Sequence, residues 1–285
     1  MQAQYPSAPV DTLRYAWSRV QSDLLGRVRL SEYQELLQAA QDAGYETHSV
    51  ISFWRLLQGS TPPEHTRYLI LRHDVDGKSD GTRRMWELEV KLGVTSSYYF
   101  RLSTLNIKLM DEIHLSGGEA SYHYEELATI VKRKGLTRAE QVTPVLEQIR
   151  AAFKTNLLSL RDRTGLPMAS AASHGDFANR MVGVTNKIIL ADSAFRKEVG
   201  IEVEAYDRNL MASVNARCSD NAYPSFWWPE HPTSVIRRGV PVIYVLTHPQ
   251  VWDVSPVRNV AANLLRLQEG YRYWKACRQR SSKAC

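Results

Sequence analysis

YLILRHDVDG, residues 68 to 77, decides the reading of the fold. Apolar and aromatic side chains run without a break from Tyr68 to Leu71 into Arg72, His73, Asp74, Val75 and Asp76. A short apolar run of this kind reads as a strand buried on both faces. Here it ends in two carboxylates and an imidazole. Charge at the end of a buried strand is expected in a β/α barrel, where the C-terminal ends of parallel strands converge on one face and hold polar groups around a shared cavity.

Outward from this strand, short apolar strands alternate with helical segments. TSSYYFR (95–101), EASYHY (119–124), MASAASHG (168–175), segments near 201–204 and 211–218, and VPVIYVLTHP (240–249) read as strands. Between them, TRRMWELEVKLG reads as a helix stopped by Gly93, and NIKLMDEIHLSGG as a shorter one. Further helices are expected over 125–163, 183–197 and 232–238, and from about 257 onward. Strands separated by helices indicate parallel βαβ units. With about seven such strands and neither a dinucleotide glycine motif nor a P-loop, a β/α barrel is favoured over an open doubly wound sheet. Residues 10–58 carry a helical pattern in which Tyr33, Leu36, Leu37 and Ala40 share a face, closed by a Thr-Pro-Pro turn at 61–63. The expected division is an N-terminal helical section, 1–62, packed on a barrel domain, 63–285.

The 285 residues are 44% hydrophobic and 23% charged, ordinary for a globular chain with a core of its own. The net charge is +6, but lysine and arginine are spread along the chain. The densest groups, KRKGLTR (132–138) and RDR (161–163), read as solvated helix faces rather than a nucleic-acid footprint. Cys218, Cys277 and Cys285 show no metal or disulfide spacing. The N-terminus lacks a secretion pattern and no apolar run is long enough to span a membrane, so a cytoplasmic protein is expected. Nothing in the pattern sets the oligomeric state.

Four strands end alike. The first ends in Asp74 and Asp76, the third in His123-Tyr124-Glu125-Glu126, a later one in Ser173-His174, and the last in Thr247-His248-Pro249. Side chains two residues apart on a strand share a side, so Asp74 and Asp76 reach one centre. A carboxylate with two or three imidazoles suits zinc or another divalent transition metal. The second carboxylate then serves as base toward water activated by the metal, and His248 protonates a leaving group. His48, His65, His114 and His231 do not share this placement and read as structural.

In this order RHDVDG (72–77), TSSYYFR (95–101), GGEASYHYEEL (117–127), SHGDFANR (173–180), CSD with FWW (218–228) and LTHPQVW (246–252) resemble the polysaccharide deacetylase family, carbohydrate esterase family 4, in its branch with an R-H-D-V-D opening. The resemblance implies a distorted (β/α) barrel of about seven parallel strands. It implies a metal-dependent hydrolase that removes an N-acyl group from an amino sugar or related polar amide. By resemblance Asp74 is the general base, His248 the general acid, and Asp76 and His123 metal ligands, with zinc expected and nickel or cobalt as alternatives. Substrate contacts are expected from Arg72, Arg101, Tyr124, Glu125, Asp220, Trp227 and Trp228, with Arg72 or Arg101 also able to orient the base. Leu127 stands where the family carries its second metal histidine; His174 is the first candidate for that ligand, and Glu125 or Glu126 the reserve. A glycan or small-molecule substrate is expected. The alternatives are a glycan-binding module that has lost catalysis and a C–N hydrolase acting on a small biosynthetic intermediate.

Overall fold

The computed structural model describes residues 28–59, 66–220, 225–253 and 256–283. The helical pattern before residue 28 and the turn at 61–63 lie outside the described residues. The chain runs through α1 (Leu30–Asp42), β1 (Tyr45–His48), α2 (Val50–Gly59), β2 (Arg67–Val75), α3 (Gly81–Leu92), β3 (Ser97–Phe100), α4 (Ile107–Leu115), β4 (Glu119–Tyr124) and α5 (Glu126–Lys134). It continues through α6 (Leu146–Thr164), β5 (Ser170–Ser173), α7 (Phe177–Val182), α8 (Ser193–Glu198), β6 (Val203–Glu204), α9 (Arg208–Ala212), β7 (Ala216–Ser219), α10 (Pro232–Arg237), β8 (Val242–Thr247) and α11 (Pro256–Lys283).

Every strand pairing is parallel, and the strands follow one another in the order β6, β5, β4, β3, β2, β8, β7. This seven-stranded path curls into a half-barrel surrounded by helices, a distorted (β/α) barrel. Residues 45–48, expected to be helical, form β1 instead. It pairs with the first half of β2, and β3 takes the second half of the same edge. Gly44, at φ 74°, turns the chain out of α1 and lets Tyr45 enter the sheet. Two other segments also depart from the sequence reading because aspartates start helices there. Asp192 accepts from the amides of Ala194 and Phe195 and opens α8 inside 183–197. Asp207 accepts from Asn209 and opens α9, so strand β7 begins only at Ala216.

Alternation along β2 sorts its side chains into two environments. Tyr68 and Ile70 face the barrel interior with Tyr99, Ala172, Val203 and Tyr244, and α2 closes that interior with Val50 and Phe53. The first amides of α2 meet Ser97 Oγ at 2.7 Å and the buried Glu119 carboxyl at 3.3 Å. Leu69 and Leu71 face outward against α1, α3 and α10. A larger outer core gathers the outward faces of β3 and β4 under α4, α5 and α6.

Glu89 of α3 is the polar knot of the outer layer. Its carboxylate is 1% exposed, lies 2.7 Å from His73 Nε2, and accepts from Tyr98 at 2.8 Å, Ser96 at 2.7 Å and Tyr33 of α1. His73 Nδ1 in turn meets Thr247 Oγ1 at 2.6 Å, so one carboxylate ties α1, α3, β2, β3 and β8. Glu89→Ala, which leaves His73 and two tyrosine hydroxyls without their buried partner, is expected to lower unfolding free energy by about 3–5 kcal/mol, read from denaturant titration.

Candidate active site

The polar residues expected at strand ends meet at the C-terminal mouth of the barrel. Arg72 and Asp74 both point inward from β2, and their side chains form a buried two-point ion pair: Nε to Oδ1 at 2.8 Å and Nη2 to Oδ2 at 2.8 Å. The Tyr206 ring covers the guanidinium at 4.2 Å. Burial alone would raise the Asp74 carboxyl; Arg72, followed by His123, holds it below the usual carboxylate range. Arg72 is itself fully buried, so it orients Asp74 from beneath and is turned away from any open substrate face.

Asp76 continues the strand and sits among three imidazoles. His123 Nε2 lies 3.2 Å and His174 Nε2 3.6 Å from its Oδ1, while His248 Nε2 is 3.9 Å from Oδ2. Burial pushes the Asp76 carboxyl up, yet His174, His123 and His248 hold it well below the ordinary range. His123 Nδ1 is 2.9 Å from the carbonyl of Ala172, which only accepts, so Nδ1 carries a proton and Nε2 is the nitrogen that faces Asp76. His174 extends the β4–β5 ladder through its amide to Tyr124 O, and its Nδ1 lies 3.1 Å from Glu125 Oε2. Glu125 is fixed by Arg101 at 2.6 and 3.2 Å and held down to about 2: burial opposes ionisation, but His174 and Arg101 outweigh it.

These residues fit a divalent cation. Asp76 Oδ1 is buried and accepts no hydrogen bond although two imidazole nitrogens are turned toward it. Asp76, His123 and His174 offer ligand atoms within 4.8 Å of one another. Two nitrogens and one carboxylate oxygen, with open coordination beyond, are the donor set of a catalytic zinc-type centre. A ligand imidazole whose Nδ1 meets a carbonyl, as in His123, has the outer partner such ligands use, and the Glu125 carboxylate lies 3.1 Å from His174 Nδ1.

His248 stands at the end of β8 on the far side of Asp76. Asp220, at the end of β7, accepts from the His248 amide at 2.8 Å, from its ring Nδ1 at 2.6 Å and from Trp252 Nε1 at 2.7 Å. Burial would lower the imidazole, but Asp220, reinforced by Asp76 and Asp74, raises it to about 9. The ring is therefore an imidazolium at neutral pH with Nε2 facing the centre. The sequence reading placed Asp220 against substrate; its side chain is buried and engaged with His248 and Trp252. The pairing of β7 with β8, which sets Ser219 opposite Leu246, brings the residue after one strand beside the start of the loop after the other.

Three other expectations move. Tyr124 follows inward-facing His123 and so faces outward, fully buried, with its ring 5.1 Å from Phe153. Trp227 packs with Trp252 and Phe226 in the outer core, while Trp228 is 48% exposed. Glu126 begins α5 and turns away to Tyr122 and Asn156, which leaves Glu125 as the glutamate at the mouth. Leu127 is buried in the outer core.

The sequence matches no protein-family model and no curated protein. Among solved structures, the chain is similar to the crystal structure of a mutant of a CE4-family pseudoenzyme with restored enzymatic activity. Identity is 13% and the TM-score 0.40, over 76% of this chain and 69% of the other. Likeness of that size carries no argument about chemistry, which stands on the geometry of the mouth.

His248, with a folded value of about 9 above its ordinary 6.5, contributes stability that is full below 6.5 and lost as pH rises through 9. Asp220→Asn removes the carboxylate that raises it. Nuclear magnetic resonance titration of the His248 ring in the metal-free protein should show its midpoint moving down by at least about one unit, the size of shift a nearby opposite charge produces.

Proposed function

We propose that the chain is a metal-dependent hydrolase of the polysaccharide deacetylase type, removing an acetyl-like group from the nitrogen of an amino sugar or related polar amide. The observation that carries this reading is Asp76 Oδ1, buried and without a donor between two imidazoles, with an arginine-held carboxylate on one flank and an aspartate-held imidazolium on the other. Asp76, His123 and His174 hold the cation, and zinc, nickel or cobalt suits the donors. A divalent cation there supplies Lewis-acid polarisation of the acyl carbonyl and of the attacking water.

The chain's own groups divide the proton traffic. Asp74, kept ionised by Arg72, takes the proton of the attacking water; its two-point tether aims the carboxylate as the centre requires. His248, kept protonated by Asp220, delivers a proton to the departing nitrogen. Amine departure without that proton would demand an amide anion, so the acid is as necessary as the base. Glu125, fixed by Arg101, flanks His174. The exposed indole of Trp228 offers a stacking face for a sugar ring.

Two measurements test the reading. Asp74→Asn should lower the rate of acetate release from an N-acetylated amino sugar by about 10²–10⁴-fold while stoichiometric metal is retained on elemental analysis. Near-normal turnover in that variant would sink the assignment. His174→Ala should leave the fold intact but weaken metal retention by at least about tenfold under chelator competition. Unchanged retention would move the third ligand elsewhere. A protein that binds sugars yet purifies metal-free and inert would instead be a glycan-binding module.

A further inference from the structure

Helix α11 carries a surface that the mouth of the barrel does not use. Among the described residues, six of the large apolar side chains left exposed lie on it: Val257, Val260, Leu264, Leu265, Tyr271 and Trp274. Steps of three and four residues place five of them, all but Leu265, on one stripe. The opposite face is seated on the barrel. Tyr273 is 6% exposed and donates its hydroxyl to Leu136 O at 2.6 Å. At Gly135, just after α5, an added Cβ would lie 2.5 Å from the Ala276 carbonyl carbon, so helix and loop meet backbone to backbone. The stripe therefore faces away from a fixed contact.

Charge gathers on the same helix. Between Pro256 and Lys283 there are seven lysines and arginines and one acidic residue, Glu269, a net +6 that equals the net charge of the entire chain. Glu269 is occupied by Lys132 at 3.1 Å. The sequence's densest basic group, KRKGLTR (132–138), adjoins the same end of the helix through Gly135 and Leu136. Arg133, Arg138, Arg272, Lys275, Arg278 and Arg280 are all exposed. Between stripe and charge, Tyr271 and Trp274 stack with ring centroids 5.9 Å apart, and the Arg278 guanidinium lies 4.0 Å over the indole.

We propose that α11 docks the protein on an anionic lipid surface. The apolar stripe enters the boundary between headgroups and acyl chains, the two aromatic rings lie at headgroup level, and the basic residues meet lipid phosphates and carboxylates. Among the described residues no helix is long and apolar enough to cross a membrane, so the attachment is peripheral. Charge selects this occupant over a second copy, because pairing α11 with itself would set one net +6 helix against another. Nucleic acid would satisfy the charge but leave the stripe in water. This inference is independent of the chemistry at the mouth.

The test is flotation of the full chain with vesicles of phosphatidylcholine alone and of phosphatidylcholine with about one third phosphatidylserine. The protein should float with the anionic vesicles and stay behind with the neutral ones. Binding should fall by at least about tenfold as salt rises from about 0.1 M to about 0.5 M. Lys275→Glu with Arg278→Glu should weaken partitioning by at least about tenfold, and Leu264→Asp with Trp274→Ser by a comparable factor, at unchanged melting temperature. Should either variant unfold, the wild-type salt and phosphatidylserine series decide the matter alone. Equal binding to both vesicles, or no flotation at low salt, overturns the proposal. So does a dimer that depends on Leu264 and Trp274 without lipid binding, or duplex DNA binding without flotation.

Discussion

Everything at the mouth of the barrel depends on one buried ion pair, Arg72 with Asp74. Two charges removed from water cost several kcal/mol each, and their attraction offsets this only when geometry is good and every polar atom is matched. Both conditions are met: two parallel hydrogen bonds at 2.8 Å, and the Tyr206 ring against the guanidinium. The pair adds little net stability against an apolar replacement, but it strongly penalises any arrangement that separates its members. It is a device for orientation. Because the partners are two residues apart on one strand, the tether is built into β2 and needs no neighbouring element to be in place.

The same strand carries a second buried polar contact on its other face, His73 with Glu89. A one-residue slip of β2 would turn Arg72 and Asp74 toward Leu69's outer core and His73 into the interior. The Arg72–Asp74 pair would then be carried into the apolar outer core, and His73 would lose both Glu89 and Thr247. Opposed polar commitments on successive residues thus specify register far more sharply than the apolar run from Tyr68 to Leu71, which is buried on both sides and would accept a slip at small cost. RHDVDG is therefore a register lock as well as a source of functional groups.

That double duty explains what could be read in the sequence and what could not. Strand ends with His or Asp were legible because parallel strands share a C-terminal face, and alternation alone sends Asp74 and Asp76 to one side. His174 was legible as a ligand candidate for the same reason. The keepers of these groups were harder. Asp220 lies beside His248 only because β7 pairs with β8, a fact of tertiary order that no local pattern carries. Tyr124 and Trp227 were drawn toward the site by their motifs, yet strand alternation and aromatic packing send both to the outer core. Strand β1 was hidden because four residues between two helices give too short a period to recognise.

Each reactive side chain at the mouth has a separate keeper: Arg72 for Asp74, Asp220 for His248, the Ala172 carbonyl for His123, and Glu125 with Arg101 beside His174. Two buried atoms there stay without a hydrogen bond: Asp76 Oδ1, between imidazole nitrogens, and His174 Nδ1, 3.1 Å from the Glu125 carboxylate. Four carboxylates, those of Asp74, Asp76, Glu125 and Asp220, crowd this mouth, and Arg72, Arg101 and His248 stand against three of them. A divalent cation, as proposed, would take lone pairs from Asp76 Oδ1 and from the two imidazole nitrogens turned toward it, meeting all three groups at once, which no single proton does.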